Sequence, residues 1–264
     1  MSDSVSPQAA QNEPQVAIVT GGRAGIGAAS SLALAQAGFR VAIVDWVDDE
    51  LLWSTMAALE STGSACCFIK ADIADLGQHA RIGEEARRRL GDLSCIVNNA
   101  GVQMHPRVDL LEVTPHAFDA VLNVNLRGTF FFAQRGAAIL ARSPSANKSI
   151  ILITSVNAVL ASVEKSAYCI SKAALSMTAR LLAVRMAALD ISVYEIRPGL
   201  ISTDMTRPVA DKYSPAIAEG LSLTRRWGTP DDVARTVRTL ASGELTFMTG
   251  EILNVGGGIQ VARL

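Results

Sequence analysis

The sequence predicts an α/β fold in which one doubly wound parallel sheet of seven strands is covered by helices on both faces. Short apolar runs rich in β-branched residues alternate with longer amphipathic runs along the 264 residues, and this order is typical of βαβ units. The short runs are almost continuously apolar, as expected of strands in a parallel sheet that is buried on both sides. Such strands are joined by right-handed crossovers.

Seven runs are predicted as strands and five as helices. The strands lie at residues 15–20, 39–45, 65–72, 93–101, 148–155, 191–199 and 251–258. Helices follow the first five strands at residues 25–38, 48–63, 76–91, 114–142 and 166–189. Thr114 and Pro115 suit the N-cap and the first position of the fourth helix. With no internal repeat or linker, residues 15–264 are predicted as one domain after a flexible polar tail at residues 1–14.

The composition argues against several classes of protein. The 24 Lys and Arg nearly balance the 25 Asp and Glu, so no basic footprint for nucleic acid is present. No apolar run reaches the roughly 18 residues of a membrane-spanning helix, and the polar N-terminus is unlike a secretory signal. We therefore expect a soluble cytoplasmic protein that binds neither nucleic acid nor membrane.

The cysteines give no sign of a metal site. They lie in or beside apolar runs, without C-x-x-C spacing and without a companion histidine cluster. We therefore expect buried, reduced thiols that behave as small apolar side chains, and no bound metal. The four cysteines are Cys66, Cys67, Cys95 and Cys169.

A glycine-rich turn, TGGRAGIG at residues 20–27, joins the first strand to the first helix. Glycines at such a junction allow a tight turn and let the backbone approach a pyrophosphate, while the helix N-terminus offers N–H groups to the anion. The sequence therefore predicts a dinucleotide site at this turn. Its cofactor-binding residues are predicted to be Gly21, Arg23, Gly25, Ile26 and Gly27.

The second predicted strand ends at Asp45, 18 residues after Gly27. A carboxylate at this position can accept hydrogen bonds from the adenosine ribose hydroxyls, and it repels a 2′-phosphate. NAD(H) is therefore favoured over NADP(H). Arg23 argues the other way, because a guanidinium near the ribose could pair with that phosphate. NADP(H) remains the alternative.

Tyr168 and Lys172 are four residues apart on the helix predicted at residues 166–189. Residues at i and i+4 are neighbours on a helix surface, so the phenol and the ammonium can lean into one space. A nearby cation favours the phenolate and lowers a phenol pKa that is ordinarily near ~10. A tyrosine tuned in this way could give or take a proton near neutral pH.

With TGGRAGIG, NNAG and YCISK in this order, the chain resembles the short-chain dehydrogenase/reductase family over nearly its whole length. The resemblance implies a Rossmann-like fold. It also implies a catalytic group of four residues, which falls on Asn125, Ser155, Tyr168 and Lys172. Tyr168 would then be the general acid or base, and Lys172 would lower its pKa and hold the nicotinamide ribose. Ser155 would bind the substrate oxygen, and Asn125 would orient Lys172 through water.

The remaining cofactor positions follow the carboxyl ends of predicted strands, where ligands bind in open α/β sheets. Asp72 would lie near the adenine edge, although a helix-capping role is an equal alternative. By resemblance, Ile201 and Thr203 would contact the nicotinamide half. The full set adds Asp72, Ile73, Asn99, Ala100, Gly101, Tyr168, Lys172, Pro198, Gly199, Ile201 and Thr203.

By the same resemblance, substrate contacts come from residues 102–109, from residues after Ser155 and from residues 205–227. The last segment has the polar–apolar mixture of a mobile lid rather than of a tightly packed core. The predicted substrate-binding residues are Ser155, Asn157, Tyr168 and His105.

We expect the protein to transfer a hydride between nicotinamide and a small polar secondary alcohol or ketone. The chain is also similar to 3-oxoacyl-acyl-carrier-protein reductases, so an NADPH-dependent role in fatty-acid synthesis is the alternative. A non-catalytic dinucleotide sensor would normally lose part of the catalytic group, and an epimerase or dehydratase would hold NAD without net turnover. Because relatives commonly pair through the two long helices and the last strand, a homotetramer is expected.

Overall fold

A parallel seven-stranded sheet runs through the computed structural model, which describes residues 14–263. Its strands are ordered β3-β2-β1-β4-β5-β6-β7, and every neighbouring pair is parallel. The fold class expected from the sequence is confirmed. The flexible tail predicted at residues 1–14 lies outside the described residues except for Pro14.

The strands and helices alternate as the apolar pattern predicts. The strands are β1 Val16–Thr20, β2 Arg40–Asp45, β3 Cys66–Lys70, β4 Cys95–Asn98, β5 Lys148–Ile153, β6 Ile191–Pro198 and β7 Ile252–Val255. The helices are α1 Gly25–Gln36, α2 Glu50–Glu60, α3 His79–Leu90, α4 Pro115–Leu122, α5 Thr129–Leu140, α6 Ser166–Met186, α7 Ala210–Ala218 and α8 Pro230–Ala241.

The core is divided into two layers by the sheet. On one face, strand residues pack against Leu34 of α1, Leu52 of α2 and Val237 of α8. On the other face they pack against α3, α5 and α6, through residues such as Ile82 and Leu175. The sheet order reverses at β1, which lies between β2 and β4. Ligands bind at such a switch point, outside the carboxyl ends of the strands.

Two helices near the C-terminus were not predicted. α8 begins with a capping box, in which Thr229 Oγ1 accepts a hydrogen bond from Asp232 N and Asp232 accepts one from Thr229 N. Its apolar face is buried against β5 and β6, so it completes one layer of the core. α7 lies within the segment predicted to be lid-like, and Ile217 anchors it because its side chain is buried.

The long helix predicted at residues 114–142 is present but is interrupted. Thr114 caps it by accepting a hydrogen bond from Ala117 N at 3.2 Å, and Pro115 is its first residue. Between α4 and α5 the backbone widens into a π-helical segment, Asn123–Gly128. Gly128 is required there because a Cβ atom at this position would lie 2.6 Å from the Ile73 carbonyl oxygen.

The cysteines are all free thiols, as expected, but only two of them are buried. Burial raises the pKa of Cys67 to about 11 and that of Cys95 to about 12. Cys66 and Cys169 are partly exposed, so the expectation of burial was wrong for these two. Within residues 14–263, no helix is both long and apolar enough to cross a membrane.

Candidate active site

A cleft of about 610 Å³ opens at the carboxyl ends of the central strands. The glycine turn after β1 forms one end, and the residues after β5 together with the start of α6 form the other. All the residues predicted to bind cofactor or substrate or to act in catalysis line this cleft, except Gly27, Asn125 and His105.

The glycine turn is built for a close ligand. Gly21 and Gly25 have φ angles of +65° and +56°, which favour glycine. A Cβ atom at Gly21 would lie 2.9 Å from Ala100 Cα. α1 begins at Gly25 without a side-chain cap and without an acidic residue in its first turn. Its first N–H groups are therefore available to an anion, as a bound dinucleotide requires.

Gly27 packs against the glycine turn on the side away from the cleft. A Cβ atom there would lie 2.1 Å from the Gly21 carbonyl oxygen, so only glycine lets α1 pack this closely against the turn. This position is needed for helix–turn packing, and its residue does not reach the cleft surface. Gly27 therefore takes part in the glycine turn, as predicted, but it does not line the cleft.

The NNAG motif braces the same turn. Asn99 Nδ2 donates to the Thr20 and Gly21 carbonyl oxygens at 3.0 and 3.1 Å. Thr20 Oγ1 in turn accepts hydrogen bonds from the backbone N–H groups of Asn99 and Ala100. The two motifs therefore form one rigid unit at the switch point between β1 and β4.

The carboxylate of Asp45 lies at the end of β2 and lines the cleft. Its oxygens accept hydrogen bonds from Arg23 N at 3.3 Å and from Val47 N at 3.2 Å. The Arg23 guanidinium pairs with Asp49, with Nη1 2.6 Å from Oδ2. The cation that could have favoured a 2′-phosphate is thus already neutralised by a neighbouring acid.

Asp72 and Ile73 follow β3 and also line the cleft. Asp72 is exposed, and its Oδ1 accepts a hydrogen bond from Ala74 N at 2.8 Å, which stabilises the local turn. Ile73 is buried, and its carbonyl oxygen lies 2.8 Å from His79 Nε2. The helix-capping alternative for Asp72 finds no support, because Asp75 caps the following turn instead.

Ser155, Tyr168 and Lys172 come together at the far end of the cleft. Ser155 is the second residue after β5, and its Oγ accepts a hydrogen bond from Asn157 N at 3.1 Å. Lys172 Nζ lies 5.7 Å from the centroid of the Tyr168 ring and donates to the Ile153 carbonyl oxygen at 3.0 Å. α6 carries both residues on the face that it turns towards the cleft, as the i, i+4 spacing predicts.

The pKa of the Tyr168 phenol differs from the expectation. Burial raises it, and the hydrogen bond with Ser155 opposes that effect only in part. Burial also lowers the pKa of Lys172 to about 8, while the charge of Glu195 acts in the opposite direction. Because both groups are desolvated, burial outweighs the lowering of the phenol pKa that was expected from Lys172.

Asn125 is fully buried in the π-helical segment, behind the cleft wall. Its Oδ1 accepts a hydrogen bond from Val102 N at 2.7 Å, and its Nδ2 donates to Val102 O at 2.9 Å and to Ser171 Oγ at 3.2 Å. A Cβ atom at Gly101 would lie 3.1 Å from Asn125 Oδ1 and 3.5 Å from Lys172 Nζ. Glycine at position 101 thus leaves a gap between these two side chains.

Beneath the site lies a buried polar network. Glu195 Oε1 accepts hydrogen bonds from Thr154 Oγ1 at 2.7 Å and from Arg197 Nε at 2.6 Å. Ser176 Oγ donates to Glu195 Oε2 at 2.8 Å and accepts from Arg197 Nη2 at 2.6 Å. The network joins β6 to the residue before Ser155 and to α6 one turn after Lys172. It therefore supports the elements that carry these two side chains.

The opposite wall of the cleft comes from the segment after β6. Pro198, Gly199, Ile201 and Thr203, which were predicted to bind the cofactor, all line it. Gly199 allows this segment to touch the chain after β7, because a Cβ atom there would lie 2.6 Å from Gly256 Cα.

His105 is the one predicted substrate residue that the structure does not bring to the cleft. It is exposed, because its neighbour Met104 fills the inward position of the same loop. Asn157 does reach the cleft, where its Oδ1 accepts a hydrogen bond from Lys165 Nζ at 2.8 Å. The lining residues that were not predicted individually include Gln103, Arg107, Lys165 and Tyr213. For Lys165 the sequence did hold a signal, because this residue lies only three positions before Tyr168.

Comparisons with known proteins agree with this arrangement. The family model described as Enoyl-(Acyl carrier protein) reductase matches residues 21–260. The tetrahydroxynaphthalene reductase of Pyricularia oryzae is 33% identical over 96% of this chain and 92% of its own length.

Two solved structures extend the comparison. The 3-oxoacyl-[acyl-carrier protein] reductase of Brucella melitensis in complex with NAD is 40% identical, with a TM-score of 0.92 over 96% of this chain and 100% of that one. A dehydrogenase from Agrobacterium tumefaciens with bound NADP is 28% identical, with a TM-score of 0.85 over 95% of this chain and 98% of that one. The chain therefore belongs to the short-chain dehydrogenase/reductase family of nicotinamide-dependent oxidoreductases.

Proposed function

We propose that the protein interconverts a small ketone and its secondary alcohol, with Tyr168 as the general acid in reduction and the general base in oxidation. The observation that carries this proposal is one continuous cleft. Ser155, Tyr168 and Lys172 line one end of it, and the glycine turn with Asp45 lines the other. A dinucleotide held by the turn would place its nicotinamide beside the tyrosine.

In reduction, a hydride adds to the carbonyl carbon and a proton to the carbonyl oxygen. When bound, the nicotinamide cofactor supplies the hydride. The Ser155 hydroxyl donates a hydrogen bond to the carbonyl oxygen, and the Tyr168 phenol gives its proton to the same oxygen. Lys172, close to the phenol, stabilises the phenolate that remains. Oxidation reverses each transfer, and proton transfer of this kind typically contributes 10²–10⁴-fold to the rate.

NAD(H) is the proposed cofactor, with NADP(H) as the alternative. Asp45 presents a carboxylate at the end of β2, and the Arg23 guanidinium is paired with Asp49. Both features disfavour a 2′-phosphate. The similar structure from Brucella melitensis was solved with NAD, which supports this choice, whereas the one from Agrobacterium tumefaciens holds NADP.

A second candidate function is the reduction of a 3-oxoacyl thioester on an acyl-carrier protein. Similarity to the Brucella melitensis reductase favours it. Carrier-protein reductases tend to use NADPH, but the Brucella melitensis reductase was solved with NAD, so Asp45 does not decide against this function.

The outer face of α6 supports the proposed homotetramer. Ile170, Met177, Leu181 and Val184 are exposed along one side of the helix. Apolar side chains in one such stripe usually pack against a partner surface. The molar mass measured by light scattering during gel filtration would test this assembly.

The test of function follows nicotinamide absorbance with purified protein, either cofactor, and a panel of an acetoacetyl thioester, keto-sugars and small ketones. Turnover of a small ketone with NADH would support the proposal. Turnover of the thioester alone, with NADPH, would replace it by the second candidate. A cofactor that survives purification, with no net change in absorbance on any substrate, would point to an epimerase or dehydratase.

A further inference from the structure

The Tyr168 end of the cleft carries two cationic side chains that the reaction itself does not use. Lys165 lies three residues before Tyr168, is 8% exposed, and places Nζ 5.7 Å from the centroid of the Tyr168 ring. Arg107 comes from the loop after β4 and lines the same end of the cleft. Lys165 is buried and Arg107 is half-buried, although lysine and arginine are seldom buried unless they are paired.

Neither cation has an acidic partner in the part of the chain that the structure describes. Glu164 is the neighbouring acid, but its oxygens lie 2.8 and 3.0 Å from Lys212 Nζ. Lys165 Nζ instead donates to the neutral Asn157 Oδ1 at 2.8 Å. Burial and, to a smaller extent, the charge of Arg107 lower the pKa of Lys165. An anion between the two cations would offset the repulsion between them.

From this arrangement, and resting on the proposed ketone–alcohol chemistry, we infer that the substrate carries a free carboxylate a few bonds from the reacting carbonyl, bound by Lys165 and Arg107. The substrate class is then a short oxo acid or the corresponding hydroxy acid.

The length of the substrate follows from the position of Lys165. Its ammonium lies as far from the Tyr168 ring as that of Lys172 does, 5.7 Å in both cases. An anion that contacts Lys165 while the carbonyl oxygen contacts Tyr168 must therefore be separated from that carbonyl by only a few bonds. An acyl thioester has no negative charge at this position and would leave both cations unpaired.

The test compares substrates that differ only in charge. Wild-type enzyme is assayed with 3-oxobutanoate and 4-oxopentanoate and with the methyl ester of each. We expect kcat/KM to be at least ten times higher for one acid than for its ester. Lys165→Met and Arg107→Gln should each lower kcat/KM for that acid by at least tenfold and change that for the ester by less than twofold. Arg142→Met, which removes an exposed charge outside the cleft, should change neither.

Either of two results would overturn the inference. One is that neither acid reacts better than its methyl ester in the wild type. The other is an equal loss for acid and ester in Lys165→Met, which would indicate a structural role. If the enzyme turns over the esters and not the acids, the result would support the proposed ketone–alcohol function and contradict the carboxylate site.

A binding measurement separates the carboxylate site from turnover. Calorimetry of the enzyme with NAD should detect butanoate and not butanamide, and Lys165→Met should abolish the butanoate signal. Butanoate binding without turnover of any ketone would uphold the carboxylate site and contradict the proposed function. Equal binding of butanoate and butanamide would overturn the site.

Discussion

Asp49 holds the side chain of Arg23 through an ion pair in which Oδ2 lies 2.6 Å from Nη1. The same aspartate caps α2 by accepting a hydrogen bond from Leu52 N. One carboxylate therefore fixes the start of a helix and also neutralises the cation nearest to Asp45. The balance of charge beside Asp45 therefore depends on a residue that does not line the cleft.

Replacement of Asp45 and then of Asp49 should shift the cofactor preference towards NADPH, with a further shift at each substitution. Asp45→Ser should lower the ratio of kcat/KM for NADH to that for NADPH. Adding Asp49→Asn should lower it further, because the freed guanidinium can pair with the 2′-phosphate while asparagine still caps α2. Steady-state kinetics with both cofactors measure the ratio. Asp48→Asn, an exposed neighbour, is the matched control. No additional effect of Asp49→Asn would mean that Arg23 does not reach the phosphate.

Tyr168→Phe removes only the phenolic oxygen from the end of the cleft. We expect turnover to fall at least about 100-fold because the proton donor is lost, while the affinity for NADH, followed by fluorescence, stays nearly unchanged. Tyr213→Phe, in the same cleft, should retain most of the activity. A Tyr168→Phe enzyme with half the wild-type rate would contradict the assignment of the proton donor.

Replacement of only one partner of the Glu195–Arg197 ion pair should destabilise the folded protein. The two side chains are only 1% and 10% exposed, so Glu195→Gln leaves a buried cation without its counter-charge. We expect a loss of about 3–5 kcal/mol in the free energy of unfolding, measured by urea denaturation. The double variant Glu195→Gln/Arg197→Met should recover part of that loss. Equal stabilities for the single variant and the wild type would show that the cation is compensated elsewhere.

The buried ammonium of Lys172 should leave a signature in the pH dependence of stability. Its pKa falls from an ordinary 10.5 to about 8 in the folded protein, so the unfolded chain binds more protons between these values and stability gains with rising pH. Relative to Lys172→Met, the wild type should gain about 3 kcal/mol between pH 8 and pH 10.5.

Denaturation of both proteins at a series of pH values measures this difference. Lys70→Met, which removes an exposed ammonium, is the control and should show no such trend. A constant difference between wild type and Lys172→Met would mean that the folded protein does not desolvate the ammonium.

The apolar pattern predicted the sheet and the placement of the cleft because strand periodicity and the glycine turn are local properties of the chain. The helical spacing of Tyr168 and Lys172 singled out this pair, whereas Ser155 and Asn125 were assigned by resemblance to the family. The hydrogen bond between Asn99 N and Thr20 Oγ1 could not be predicted from the sequence, since these residues are 79 positions apart. Nor could the sequence give the pairing of Arg23 with Asp49 or the inward position of Met104, which depend on neighbours that only the folded chain brings together.

The π-helical segment Asn123–Gly128 makes the number of residues between α4 and α5 a structural requirement. Buried residues recur there every four positions, at 121, 125, 129, 133 and 137. In a regular α-helix four residues turn about 40° past a full circle, so such a stripe would drift around the helix. The π-helical segment absorbs part of that drift. Deletion of one residue would restore a regular helix and turn Asn125 about 100° away from the face that carries Phe132. Asn125 would then lose its two hydrogen bonds to Val102, even if every remaining residue of the segment were unchanged.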